Sequence, residues 1–366
     1  MNRRDFLKAS SLGALTMASA PFAAGAKDEV PAFAKNARRL GPVIKNVEVR
    51  SNPALKGRKA ASFFIDDAIW FLRDLTRMRP KSLFDNDFLA PLKECHDKYG
   101  LKLQINLFYR TDFYYGMDEF TLSEVPDSYK AEWQANKDWL KLGFHSLQEF
   151  PDYPWINIGY ADVRKFFDMT KREIDRFAGE GVFAKALVPH WCSMSKEGCR
   201  ALKDCGIRLM ESTVGTRYRY EGDRSCLPYG HAIRIENNRK PETSLYRRDS
   251  RDAAIMSSVC SYNHMSPEQG NATKNTRKYM VDPDTGMAFK QLFNDAPVLN
   301  LVDVPTLKAD TAKLLGREML VFSDHEQYFF KEYFAYQSDY MEKVMVMSRM
   351  MNENGYQFIF IEDLVA

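Results

Sequence analysis

The sequence predicts an α/β fold, a (β/α) barrel of about seven parallel strands. Two observations carry this expectation. Apolar, β-rich runs alternate with helical patterns long enough to serve as crossovers, and that alternation implies a parallel sheet. The number of strand candidates is that of a closed barrel rather than an open sheet.

In chain order, KAASFFID (59 to 66) reads as a buried strand, NDFLAPLKECHDKYG (86 to 100) as a helix stopped by Gly100, and LKLQINLFYR (101 to 110) as the next strand. A helix over 127 to 140, the strand LKLGFHS (140 to 146), an amphipathic helix over 161 to 179 and the strand FAKALVPHW (183 to 191) repeat the unit. Ser195 caps a helix running to Gly206, and IRLMEST (207 to 213) follows as a strand. From Thr213 to about residue 317 the rhythm fails, with short strand candidates such as AAIMSSVCSY (253 to 262) among loops; this stretch reads as an irregular insertion near the rim. Order returns with the strand in REMLVFSDHEQYFF (317 to 330), a helix across 333 to 355 whose Met-rich run is a packed face, and a closing strand over 356 to 364.

The N-terminus has the form of a twin-arginine export signal over residues 1 to 26: Arg3 and Arg4, then Phe6 and Leu7, then a small-residue, mildly apolar stretch. That stretch is too short and too interrupted to be a stable membrane anchor. The expected location is periplasmic or secreted, with the translocation machinery as a partner, residues 27 to 58 as an N-terminal extension and 59 to 364 as the barrel. Losing Arg3, Arg4, Lys8 and Asp5 with the signal lowers the formal charge from +3 to +1. A nearly neutral chain offers no electrostatic case for nucleic acid. The six cysteines contain no C-x-x-C pair and are expected to be reduced.

In a parallel barrel all C-terminal strand ends open on one face, so polar residues there converge. The run FFIDDAIWF places Asp66 and Asp67 where an apolar strand ends, although an unpaired buried carboxylate costs several kcal/mol. His145, Ser146 and Glu149 end the third strand, His190 and Trp191 the fourth, and Asp324, His325 and Glu326 the penultimate one. Carboxylates and imidazoles suit one divalent ion, zinc first, with cobalt, nickel or manganese as alternatives. His145 and Glu149, four apart, share an ion if their loop begins a helical turn. One aspartate then serves as ligand and the other as base.

FFIDDA, HSLQE, VPHW and VFSDHEQYF together resemble the motifs of the polysaccharide deacetylase (NodB-homology, carbohydrate esterase) family, in order, over roughly residues 59 to 364 with 213 to 317 not covered. The resemblance implies a NodB-like barrel and removal of acetyl groups from a carbohydrate or glycan. It makes Asp66 the base, Asp67 and His145 metal ligands, and His325 the acid. Glu149 stands where a second ligand histidine is usual, and Leu187 where an arginine is usual, which marks a divergent branch.

Aromatic residues gather at the same ends, among them Trp70, Phe71, Phe108, Tyr109, Tyr114, Tyr115, Tyr153, Trp155 and Trp191. Trp70, Tyr109, His190 and Trp191 are the candidate substrate contacts, since sugar rings stack on aromatic faces; the alternative is a rim sealed by aromatic packing. Two other functions fit the same residues: a metal-free glycoside hydrolase using Asp67 and Glu149, and a non-catalytic carbohydrate-binding barrel.

Overall fold

The segment AASFFIDDA forms the central strand because its β-branched and aromatic residues are buried on both faces, as parallel strands covered by helices require. The computed structural model describes residues 38–39, 48–111, 119–149, 154–155, 158–192, 194–211, 218–219, 267–292, 295–333 and 335–365. The labelled elements are β1 (Glu48–Ser51), β2 (Ala60–Ala68), α1 (Trp70–Met78), α2 (Leu89–Tyr99), β3 (Leu103–Phe108), α3 (Lys130–Asn136), β4 (Leu140–Ser146), α4 (Tyr160–Phe177) and β5 (Ala186–Leu187). After them come α5 (Lys196–Asp204), β6 (Leu209–Glu211), α6 (Pro267–Thr273), β7 (Lys278–Val281), β8 (Ala288–Lys290), α7 (Val304–Leu314), β9 (Met319–His325), α8 (Tyr340–Glu353) and β10 (Gln357–Phe358).

Two sheets result. One is all-parallel in the order β9-β2-β3-β4, with β10 beside the start of β2. The other runs β1-β7-β8-β6-β5, parallel from β5 through β8 and antiparallel from β8 to β1. Single bridges, Leu142–Phe183 and Val298–Ser323, link the first sheet to the chain before β5 and after β8. The α/β class is therefore as expected, but the second sheet is mixed, and no pairing of β8 with β9 completes a ring among the described residues: β7 takes that edge of β8 instead.

Side chains occupy the gap. The buried Asp295 carboxylate accepts from the backbone N–H of Asn275 at 2.6 Å and of Val321, in β9, at 2.9 Å. The fully buried Lys290 ammonium donates to the carbonyls of Thr273 and Thr276 at 2.6 and 2.8 Å, at the end of α6. Backbone groups at the end of α6 and in β9 are thus satisfied by charged side chains, as burial demands.

The helices are explained locally. Gly100, at φ 72°, ends α2, and Ser195 accepts from the Gly198 N–H to start α5. On α8, Val344, Met347 and Met351 form the buried face expected of its Met-rich run. Three differences from the sequence reading stand out. A helix, α1, follows the Asp pair after two intervening residues; α8 starts seven residues later than 333; and the closing strand is only β10, followed by a 3-10 turn over Ile361–Leu364. Part of the unplaced stretch is ordered, as α6, β7, β8 and α7. Residues 1 to 26 and the strand candidate at 253 to 262 lie outside the described residues. Cys95 and Cys205 are free thiols; Cys226 and Cys260 lie outside the described residues. Among the described residues, no helix is long and apolar enough to cross a membrane.

Candidate metal centre

Adjacent residues of a regular strand point to opposite faces, so Asp66 and Asp67 should not serve one site. The register resolves this. Ile65 pairs with Ile105 and Ala68 with Leu107, so Asp66 and Asp67 together oppose the single residue Asn106. This is a β-bulge at the Asp pair, and Asp67 takes φ 57° to complete it, a left-handed conformation that costs a non-glycine residue about 1 kcal/mol or more. A second irregularity falls at His145: Leu107 pairs with Phe144 and Phe108 with Ser146, leaving His145 as the extra residue on β4. Cys192, two residues after His190, is also left-handed, at φ 53°.

These distortions bring three ligand atoms together. Asp67 Oδ1 lies 3.0 Å from His145 Nε2 and 3.2 Å from His190 Nδ1, and the two nitrogens are 3.1 Å apart. Asp67, His145 and His190 are buried and form a group able to hold a metal ion. The outer nitrogen of each ring meets a backbone carbonyl, His145 Nδ1 at Val188 (2.6 Å) and His190 Nε2 at Glu149 (3.0 Å). A carbonyl only accepts, so those nitrogens carry the hydrogens and the inner two present lone pairs. Lone pairs and a carboxylate oxygen facing one another repel unless a cation lies between them. The donors of a tetrahedral zinc site, about 2.0–2.1 Å from the ion, are spaced about 3.3 Å apart, so the donor set and its spacing fit. Phe108 packs edge-on to the His190 ring at 5.1 Å and tilted against His145 at 5.5 Å, which walls the rings in apolar surface.

The charges follow from this packing. Burial opposes ionisation of Asp67, but when protons on the inner nitrogens of His145 and His190 stand in place of an ion, their bonds outweigh burial and hold its carboxyl well below the usual range. Asp66 has no such pair: burial pushes it up to about 7, against the pull of His145. Its Oδ1 accepts from Asn106 Nδ2 at 2.7 Å, and Asn106 Oδ1 accepts from Gln104 Nε2 at 2.7 Å. Gly143 makes room for these amides, since a Cβ there would sit 2.5 Å from Asn106 Oδ1. With Leu187 buried and apolar, a neutral amide orients Asp66. On the facing strand His325, in register with Asp66, gives its Nδ1 hydrogen to Asn300 Oδ1 at 3.0 Å, and burial lowers its pKa.

Several expectations change. Glu149 is outside the ligand group: residues 147 to 149 do not begin a helical turn, its side chain lies 3.9 Å from His190 Nε2, and its backbone carbonyl is what serves the site. His190, expected to touch substrate, stands with the ligands. Trp70 is the first residue of α1 and wholly buried, edge-on to Phe330 at 5.2 Å and to Tyr333 at 6.2 Å, so the helix turns it into the core and away from any sugar. Tyr109 is half-buried at the end of β3. Trp155 is buried and donates to the His145 carbonyl at 3.2 Å, a packing role. The Trp191 side chain and Tyr114, Tyr115 and Tyr153 lie outside the described residues. Glu326 is fully buried, and its carboxylate accepts from the N–H groups of Ile69, Trp70 and Phe71 at 2.7, 2.9 and 2.6 Å. Asn106, Asn300 and Gln327 escape motif reading; only the polar pair Gln104 and Asn106, two apart in an apolar strand, signals a polar interior face.

Asp324 faces the other side of β9, and burial pushes its carboxyl up to about 8, against the Lys343 ammonium. Below about pH 4 both folded and unfolded chains keep this proton; between about 4 and 8 only the folded one does, so stability falls as pH rises through that window. Asp324→Asn should therefore gain at least about 1 kcal/mol over the parent at pH 8–9 and almost nothing at pH 4, by urea unfolding. Equal differences at both pH values would contradict a protonated Asp324.

No family model and no curated protein matches this chain. Among solved structures it is similar to a wild-type CE4 family pseudoenzyme from Bacillus anthracis, at 12% identity and TM-score 0.37, covering 85% of this chain and 66% of that one. A mutant of the same pseudoenzyme gives 11% and 0.38, covering 89% and 72%. The 4-alpha-glucanotransferase of Thermococcus litoralis gives 10% and 0.43, covering 84% and 40%. Likeness at this level transfers no residue role. The fold and site define an α/β protein with a buried Asp-His-His group able to hold a metal ion.

Proposed function

We propose that this chain is an exported, metal-dependent hydrolase that removes acetyl groups from a carbohydrate or glycan. The observation that carries the reading is the convergence of Asp67, His145 and His190, with inner lone pairs facing one another, beside a second carboxylate and a third imidazole. A divalent ion held there, zinc by its donor set, supplies Lewis-acid polarisation and a more acidic water.

The chain's own groups supply the rest. Asp66, poised near neutrality and aimed by Asn106, takes up the proton of the attacking water. His325, its Nδ1 hydrogen fixed on Asn300, offers Nε2 to carry a proton to the departing nitrogen or oxygen. Glycan stacking falls to rim aromatics such as Tyr109 and Trp191, and the twin-arginine segment directs export.

Elemental mass spectrometry of protein purified without chelators or a histidine tag should find about one equivalent of a transition metal, zinc first. Acetate release from a panel of N- and O-acetylated glycans should then vanish on chelation and return with zinc. A protein that takes up no zinc, cobalt, nickel or manganese would move the glycosidase and sugar-binding readings ahead.

A further inference from the structure

We propose that Gln327 is a positioning residue that restricts Asp67 to ligation through one oxygen. The inference rests on the metal reading above and adds how the ligand is held. Gln327 is 4% exposed, and its Nε2 donates to Asp67 Oδ2 at 2.9 Å. The two oxygens of one carboxylate thereby differ: Oδ1 faces the imidazoles at 3.0 and 3.2 Å, while Oδ2 is occupied by an amide hydrogen.

Two further observations point the same way. The amide orientation leaves Gln327 Oε1 buried with no hydrogen-bond partner among the described residues. A buried acceptor without a partner costs about 1–3 kcal/mol, so Gln327 gains the protein little stability. Such a group, retained beside a ligand, suits a functional role better than a packing one. The backbone is fixed from the same turn: Glu326, the preceding residue, binds the N–H groups of Ile69, Trp70 and Phe71, which follow the left-handed Asp67 after one intervening residue. Consecutive residues of one turn thus hold the ligand at its carboxylate and just beyond its backbone.

The test is Gln327→Met, which keeps the volume and removes the hydrogen, measured against the parent chain. Zinc affinity, by competition with a chromophoric chelator, should fall about 10–100-fold, the range for loss of a partner that orients a ligand. The visible absorption of the cobalt(II) form should weaken as Oδ2 becomes free to join the ion and raise its coordination number. The unfolding midpoint of the metal-free variant should be unchanged or higher. Unaltered affinity and cobalt spectrum would overturn the inference, as would a parallel loss of affinity and metal-free stability, which marks a merely structural role. A parent chain that binds neither zinc nor cobalt removes the metal reading itself, whatever the variant does.

Discussion

His190→Ala should lose its metal, whereas Glu149→Gln should keep about one equivalent. The two variants separate the ligand set the structure assembles from the one the sequence suggests. His190 Nδ1 lies 3.1 Å from His145 Nε2 and 3.2 Å from Asp67 Oδ1, so removing it leaves two protein donors where three converge. Loss of an orienting partner already costs 10–100-fold in affinity; loss of a direct ligand should exceed about 100-fold. Glu149 serves the site through its backbone carbonyl, which accepts from His190 Nε2 at 3.0 Å and survives the substitution. Elemental analysis and chelator competition on both variants decide the matter. Metal retained in His190→Ala and lost in Glu149→Gln would restore the Asp-His-Glu set.

Glu326→Ala should be the most destabilising of the substitutions considered, by about 3–5 kcal/mol in urea unfolding. Ile69, the residue before α1, has no side-chain cap, and the first N–H groups of any helix lack partners within it. Glu326 supplies two oxygens to three of them from the far end of the chain, and its charge opposes the positive end of the helix dipole. Alanine leaves those groups buried without their acceptor and opens a void. Glu326→Gln should fall between, because an amide has one acceptor oxygen and turns its own hydrogens toward helix N–H groups. A loss below about 1 kcal/mol for Glu326→Ala would show that water replaces the carboxylate without penalty.

Much of this was legible in the chain, and for identifiable reasons. β2, β3, β4 and β9 are long, apolar and bounded, so their period survives reading without a structure. The helices α2 and α5 carry their own stop and start signals, Gly100 and Ser195. β5, β6 and β10 keep only two or three residues of the runs that suggest them, since strand length depends on which neighbours are present to pair. α1 is hidden because its first turn, Trp70 and Phe71, continues the apolar run of the strand before it, and its cap comes from residue 326.

At the site, local pattern alone brings the right residue types to the rim: the Asp66–Asp67 pair, His145, His190 and His325 each lie in the last residues of a strand or just beyond it. Their division of labour follows from packing between distant segments. Whether His190 or Glu149 completes the ligand group depends on where the chain turns after β4 and β5, and whether two adjacent aspartates can face one site depends on a bulge defined by pairing with β3. Gln327 and Glu326 act across about 260 residues of chain, at positions 67 and 69–71. Hydrogen bonds of a few ångströms between such distant residues leave no periodic trace in a sequence, because distance in space, not along the chain, is what they require.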